Sequence, residues 1–403
     1  MFRILGISFL LIQLISASPS GITLNAKQRE LSASEIYRGA IAYQNRFSDV
    51  TMADDYYIPI PIGEYYIGCI AGTPYQPLIL MLDSATRYFW VTVEDCLKCM
   101  NPRFYRSLSS TYTQYTETIN DISYTMGKRS GTASGNLATD YIAVVGYSVS
   151  KLKFAAVKDQ TGEIFASFWV HGGLGINFAA FHDANGYIQQ LIDLNIISKR
   201  IVGLYLSNND SQIQIGGYNA GKASDIQYFD VKEYQAMFDV QLKSLQYSGL
   251  ASMLDHKDGL IMVHSPYMLF PSKVFSPIAA KIQEKLGHPC AIDILTGLFY
   301  CEVTSTSHSQ FEGLIVQFQR GDNYTIHASN YIDFTEENGK KLAIFRIIVV
   351  QDLQYVGIGT PFLKSVYTVL DHDQDKVGFG QIAAGSTYGV VLATLLALAL
   401  ILI

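Results

Sequence analysis

Two short stretches carry residues that could do acid–base chemistry. The first runs from Leu80 to Val91, LMLDSATRYFWV, where an apolar run ends in Asp83, Ser84 and Ala85 before an aromatic-apolar run follows. The pattern puts Asp83 where a buried strand breaks into a turn. A bare carboxylate there is costly unless hydrogen bonds or charges satisfy it. The second runs from Ile261 to Pro271, IMVHSPYMLFP, and sets His264 and Ser265 in the places of Asp83 and Ser84. In such a pair the carboxylate could act as base and a protonated imidazole as donor.

Each stretch is followed at long range by an apolar residue and a glycine. Gly175, after Leu174, lies 92 residues beyond Asp83, and Gly359, after Ile358, lies 95 beyond His264. That offset is far too long for a solenoid and predicts two similar lobes facing each other. The chain has 403 residues, 49% of them hydrophobic, so it can bury a large core. Its 27 Tyr, 21 Phe and 32 Gly favour strands and turns. Apolar residues at 187, 188, 191, 192, 194 and 196 fall mostly on one helical face and predict a short surface helix over Tyr187 to Ile197.

From about Tyr65 to about Gln381 the chain resembles the pepsin-like aspartic proteases. The two motif stretches carry the resemblance, together with Gly72-Thr73-Pro74-x-Gln76, Ile215-Gly216-Gly217, Tyr367-Thr368-Val369-x-Asp371 and Lys376-Val377-Gly378-Phe379. The resemblance implies an all-β, bilobal fold with a central cleft and a few short helices. It divides the chain into an N-lobe, 59–224, and a C-lobe, 225–382. The family's Asp-Thr-Gly then stands as Asp83-Ser84-Ala85 in one lobe and His264-Ser265-Pro266 in the other.

The family's chemistry uses two carboxylates that share a proton. Here the pair would be Asp83 and His264, a degenerate dyad. An imidazolium beside a carboxylate lowers the Asp pKa and raises the His pKa, which makes the carboxylate a poorer base. The motif glycines of the family donate backbone N–H groups; Ala85 keeps that donor and Pro266 has none. Ser84 and Ser265 retain the hydroxyls that, in the family, tie the two loops across the lobes. Thr360 stands where the family has an Asp after the second apolar-apolar-Gly segment. Tyr124 matches the flap tyrosine, in a hairpin running through Ile122 to Tyr124 and back through Gly131 to Asp140, with Met126 to Arg129 reshaping its tip. His171, in His171-Gly172-Gly173-Leu174-Gly175, reads as structural. The resemblance implies a catalytically impaired protease homologue that binds a peptide or protein in its interlobe cleft. The alternative is an active aspartic-type endopeptidase using Asp83 and His264. No cofactor and no metal is expected.

The single Cys96-x-x-Cys99 pair, in a chain with a secretory leader, reads as a small disulfide loop rather than a redox or zinc site; the family has a short disulfide loop at this place. Cys290 and Cys301 match a second family bridge in rough placement. Cys69 remains, in a strand-like stretch, as a buried free thiol.

Residues 1–17 read as a signal peptide, with Arg3, an apolar stretch and Ser16-Ala17-Ser18. Residues 18–58 carry Lys27, Arg29, Arg38 and Arg46 and match the family's basic prosegment, or form a solvated leader. Residues 383–403 hold small residues and then an apolar tail, readable as a lipid-anchor signal, a short membrane helix or a plain hydrophobic terminus. Membrane attachment through this tail is therefore one expectation. Asn209 and Asn323 lie in glycosylation sequons. A net charge of −6 gives no reason to expect a nucleic-acid partner. The leader and cysteines imply the secretory pathway, with an extracellular, cell-surface or endolysosomal destination.

Overall fold

The computed structural model describes residues 22–28 and 64–382, apart from 128, 145–149, 208–210, 235–236, 255–257, 295, 321–322 and 338. The leader, most of the prosegment, the Asn209 sequon and the C-terminal tail lie outside the described residues. Among the described residues no helix is long and apolar enough to cross a membrane.

Each motif stretch folds as a strand, a tight turn and a second strand, and a third strand threads between the two. In the N-lobe, Gly172–Gly175 runs parallel to Gln76–Asp83, with Leu82 opposite Leu174 and Asp83 opposite Gly175. It runs antiparallel to Phe89–Thr92. In the C-lobe, Tyr355–Ile358 runs parallel to Asp258–Ile261 and antiparallel to Met268–Pro271. Strands bonded on both edges and packed on both faces read as continuous apolar runs, which is why Leu78 to Leu82 and Leu260 to Val263 lack a polar alternation. The threading needs glycine. A Cβ on Gly359 would lie 2.0 Å from the Tyr267 carbonyl oxygen, and one on Gly173 would lie 2.6 Å from Asp83 Oδ2 and 2.4 Å from Trp90 Nε1.

A long hairpin, Thr113–Met126 and Arg129–Val144, extends from the N-lobe sheet. A separate run of strands joins the lobes in the order Ala223–Asp230, Lys376–Ile382, Tyr367–Asp371, Ile201–Tyr205, Ser211–Ile215 and Ile22–Gln28. The C-terminal strands 367–382 thus pair with strands from the N-terminal half, so neither half closes its sheet alone.

The short helix predicted over Tyr187 to Ile197 ends at Asp193. Asn195 adopts a left-handed φ of 54°, which stops the helix before Ile197. A longer helix, Ser272–Leu286, is absent from the sequence reading. Pro277 lies inside it and masks the helical pattern, although Val274, Phe275, Ile278 and Ile282 line its buried face and Gly287 ends it in the left-handed region.

Two bridges close the loops, Cys96–Cys99 and Cys290–Cys301, and Cys69 is a buried free thiol. The larger apolar core fills the lobes. The second occupies the space between them: Tyr124, Met126 and Phe168 of the N-lobe belong to one buried cluster with Met262, Leu269 and Ile348 of the C-lobe. The hairpin tip reaches the opposite lobe. Gly127, at φ 63°, sits so close that a Cβ there would be 3.1 Å from Ile348 Cγ2 and 3.2 Å from the Thr296 carbonyl oxygen.

Candidate active site

Asp83 lies at the end of its strand and is 0% exposed; Tyr124 and His264 are each 2% exposed. Donors from the N-lobe surround the Asp83 carboxylate. Ala85 N–H donates to Oδ1 at 2.9 Å, Trp90 Nε1–H donates to Oδ2 at 3.0 Å, and the Tyr124 hydroxyl donates to the same Oδ2. Tyr124 is held over the carboxylate by Phe165 and Phe168, whose rings meet its own edge-on at 5.7 and 5.2 Å. The hairpin tyrosine therefore bonds the acid directly, and the hairpin lies shut on it. Substituting Gly173 by Ala is expected to cost about 1–3 kcal/mol, because a methyl must displace Asp83 and Trp90 from this arrangement. Denaturant unfolding of the variant checks this; unchanged stability would mean the loop has room that the geometry denies.

His264 is brought into the same region but does not pair with Asp83. Its Nδ1 lies 3.0 Å from Ser84 Oγ, and Val263 N–H donates to that oxygen at 2.8 Å. Ser84 is a neutral partner that brings no opposite charge to the imidazole. Ser84 thus spans the lobes. Ser265 does not take the reciprocal role expected of it. It donates to the Tyr267 carbonyl at 2.8 Å and accepts from Tyr267 N–H at 3.2 Å, all inside its own turn.

The sequence also predicted an Asp83–His264 ion pair that lowers one pKa and raises the other. The structure reverses both signs. Burial pushes Asp83 up, and the bonds from Tyr124, Trp90 and the Ala85 and Thr86 N–H groups only partly offset it, leaving the carboxyl at about 6. Burial pushes His264 down to about 4. The reason is desolvation without a compensating opposite charge: each charged form loses water, and the nearest partner of His264 is a neutral hydroxyl. Pro266 stands at the position of Ala85 in the second turn and offers no N–H, so a carboxylate at 264 would lack the donor that Asp83 enjoys.

Thr360 finds another use. Its hydroxyl donates to Glu64, which is 0% exposed and also pairs with Arg346 Nη1 at 2.8 Å and Lys364 Nζ at 3.3 Å. Arg346 is held in turn by Asp333 at 2.7 Å. No local signal marked Glu64, since its partners lie 282 to 300 residues away. His171 accepts from Ile79 N–H at 3.1 Å beneath the first motif. Asn323 begins an exposed strand end, Asn323–Ile326.

The family model for eukaryotic aspartyl proteases matches residues 64–382. The chain belongs to the eukaryotic aspartyl protease family. A vacuolar aspartic protease of Candida albicans is 23% identical over 330 residues, 78% of this chain and 74% of that protein. Cathepsin D of Mus musculus is 23% identical over 345 residues, 78% of this chain and 80% of that protein. The all-β, bilobal pepsin-like fold follows from this membership and from the strands described above. Membership of the family suggests peptide or protein binding in an interlobe cleft, which the hairpin covers in this structure, and the disulfides fit the oxidising secretory route.

Proposed function

We propose that this aspartyl protease relative is catalytically impaired and serves to bind a peptide or protein between its lobes. The observation that carries the reading is the state of the two motif side chains. An Asp/His pair would need an ionised Asp83 as base and a protonated His264 as donor. Asp83 ionises above about 6 and His264 gains its proton below about 4, so the two charged forms avoid each other. At pH 5, midway, each charged form is a minority of about one in ten, and both together on the order of one molecule in a hundred. Asp83 is moreover engaged by Tyr124, Trp90 and Ala85, so an attacking water would first have to displace one of them. Passage through the secretory pathway to the cell surface, the exterior or an endolysosomal compartment goes with this reading.

Incubation with an unstructured protein between pH 3 and 6 should give no cleavage that depends on Asp83. Acid-dependent cleavage that disappears in Asp83→Ala would establish the opposite reading, an active endopeptidase using Asp83 and His264. The double substitution His264→Asp with Pro266→Gly restores a second carboxyl and its N–H donor. It is expected to raise acid peptidase activity above the parent by about a hundredfold, the low end of what a positioned acid–base group contributes. His264→Asp alone should gain less, because Pro266 leaves the new carboxyl unsatisfied.

A further inference from the structure

On the side of the molecule where the joining sheet turns, two histidines from distant parts of the chain meet. His182 follows the turn Phe178–Phe181, and His372 follows the strand Tyr367–Asp371. Their ring nitrogens, Nδ1 of His182 and Nε2 of His372, are 3.2 Å apart. We propose that this pair is a binding site for a tetrahedral divalent transition metal, of which zinc is the representative, with His182 Nδ1 and His372 Nε2 as its two protein ligands.

Four features of the place support this. The separation fits: two nitrogens each about 2.0–2.1 Å from a tetrahedral ion lie about 3.3–3.4 Å apart, whereas adjacent corners of a square-planar site lie at about 2.9 Å. The ring of His372 is fixed, stacked on Phe181 at 13° with centroids 5.6 Å apart and flanked by Phe178 at 4.4 Å. Its other nitrogen, Nδ1, faces Asp375 Oδ1 at 3.8 Å. A carboxylate on the far nitrogen is the usual outer partner of a metal-bound histidine, and drawing Asp375 in to hydrogen-bond distance would hold the proton on Nδ1 and leave Nε2 free to ligate. Finally, the pair opens onto a cavity of about 450 Å³ whose wall includes Asp193, Asp373 and Arg200. Arg200 is already engaged by Gln189, the Phe181 carbonyl and Asp373, so its charge is partly offset.

Without metal one histidine must donate a proton to the other. The ion takes the place of that shared hydrogen: His182 Nδ1 gives up its proton while its Nε2 takes one from solvent, so the ring stays neutral and no net proton is released. Among the described residues no group of three or more His, Cys, Asp or Glu forms a ready-made metal cluster. Solvent therefore fills the remaining positions, and affinity is expected on the order of micromolar rather than that of a closed structural site. The ion would tie the N-lobe turn to the joining sheet.

Calorimetric titration of the full chain with zinc chloride at pH 7.5 should show one equivalent bound at micromolar affinity. His182→Ala, on an exposed turn, and His372→Gln should each weaken this at least tenfold. Asp375→Asn should weaken it about tenfold through the far nitrogen. Zinc should also raise the melting temperature of the parent and leave that of His182→Ala unchanged, while the two melt alike without metal. No binding by the parent, or equal binding by parent, His182→Ala and His372→Gln, overturns the site and leaves an ordinary histidine–histidine hydrogen bond.

Discussion

Replacing Glu64 by Gln is expected to lower the unfolding free energy by about 3–5 kcal/mol. Glu64 precedes the N-lobe strand Tyr65–Ala71, and its carboxylate is buried against Arg346, Lys364 and the Thr360 hydroxyl of the C-lobe. Burial pushes Glu64 up, but Arg346, Lys364 and the Thr360 bond outweigh it and hold the carboxyl at about 2. Taking the charge away leaves Lys364 buried without its carboxylate and strips Arg346 of one of two partners. The lowered pKa gives the sign of the pH effect. The contribution is present above the unfolded value of 4.5 and is lost only as pH falls through about 2. The deficit of Glu64→Gln should therefore be full above pH 4.5, shrink steadily as pH falls from 4.5 to about 2, and be smallest below that. Adding Lys364→Met should recover part of it, since the lone buried ammonium is then gone. Asp333→Asn, whose carboxylate is 22% exposed, should cost less than Glu64→Gln. Denaturant unfolding at pH 5 decides the matter: a loss below about 1 kcal/mol would show that the network is dispensable.

The second large effect is a pair of opposed pH dependences at the motif residues. Asp83 is raised from 3.8 to about 6 by burial, so its contribution to stability is full below 3.8 and is lost as pH rises through 6. His264 is lowered from 6.5 to about 4 by burial, so its contribution is full above 6.5 and is lost as pH falls through 4. Each shift is worth about 3 kcal/mol over its window. Between pH 4 and 6 the two slopes oppose and nearly cancel in the parent. Removing one titration exposes the other. Relative to the parent, Asp83→Asn should gain stability as pH rises from 4 to 6, by about 1.4 kcal/mol per pH unit at most. His264→Gln should lose stability over the same interval at a similar rate. Difference curves from thermal or denaturant unfolding isolate these slopes from every other titrating group. If Asp83 and His264 formed an ion pair instead, both difference curves would be nearly flat between pH 4 and 6, with changes only below 3.8 and above 6.5.

Much of the architecture was legible because its signals are local. The runs Leu78 to Leu82 and Leu260 to Val263, each broken by Asp83-Ser84 or His264-Ser265, mark strands meeting turns, and the later Leu174-Gly175 and Ile358-Gly359 mark the strands that thread past them. Apolar continuity and glycine spacing survive in sequence because the backbone geometry demands them wherever the loop is built. The Cys96-x-x-Cys99 loop is short enough to be read directly. A helix with Pro277 in its second turn was not legible, since proline carries the local sign of a boundary and only packing of Val274, Phe275, Ile278 and Ile282 overrides it. What the motif residues do was decided only in three dimensions. Whether Ser265 ties the lobes or turns back on Tyr267 depends on angstrom-scale placement of two loops, and no residue type encodes it. Whether Tyr124 hovers or bonds Asp83 depends on a hairpin tip reaching Ile348 across the cleft. The signs of the Asp83 and His264 shifts follow from burial, a property of the whole packed molecule. The sequence could name the two side chains, but only the packing around them settled that both favour their neutral forms between pH 4 and 6.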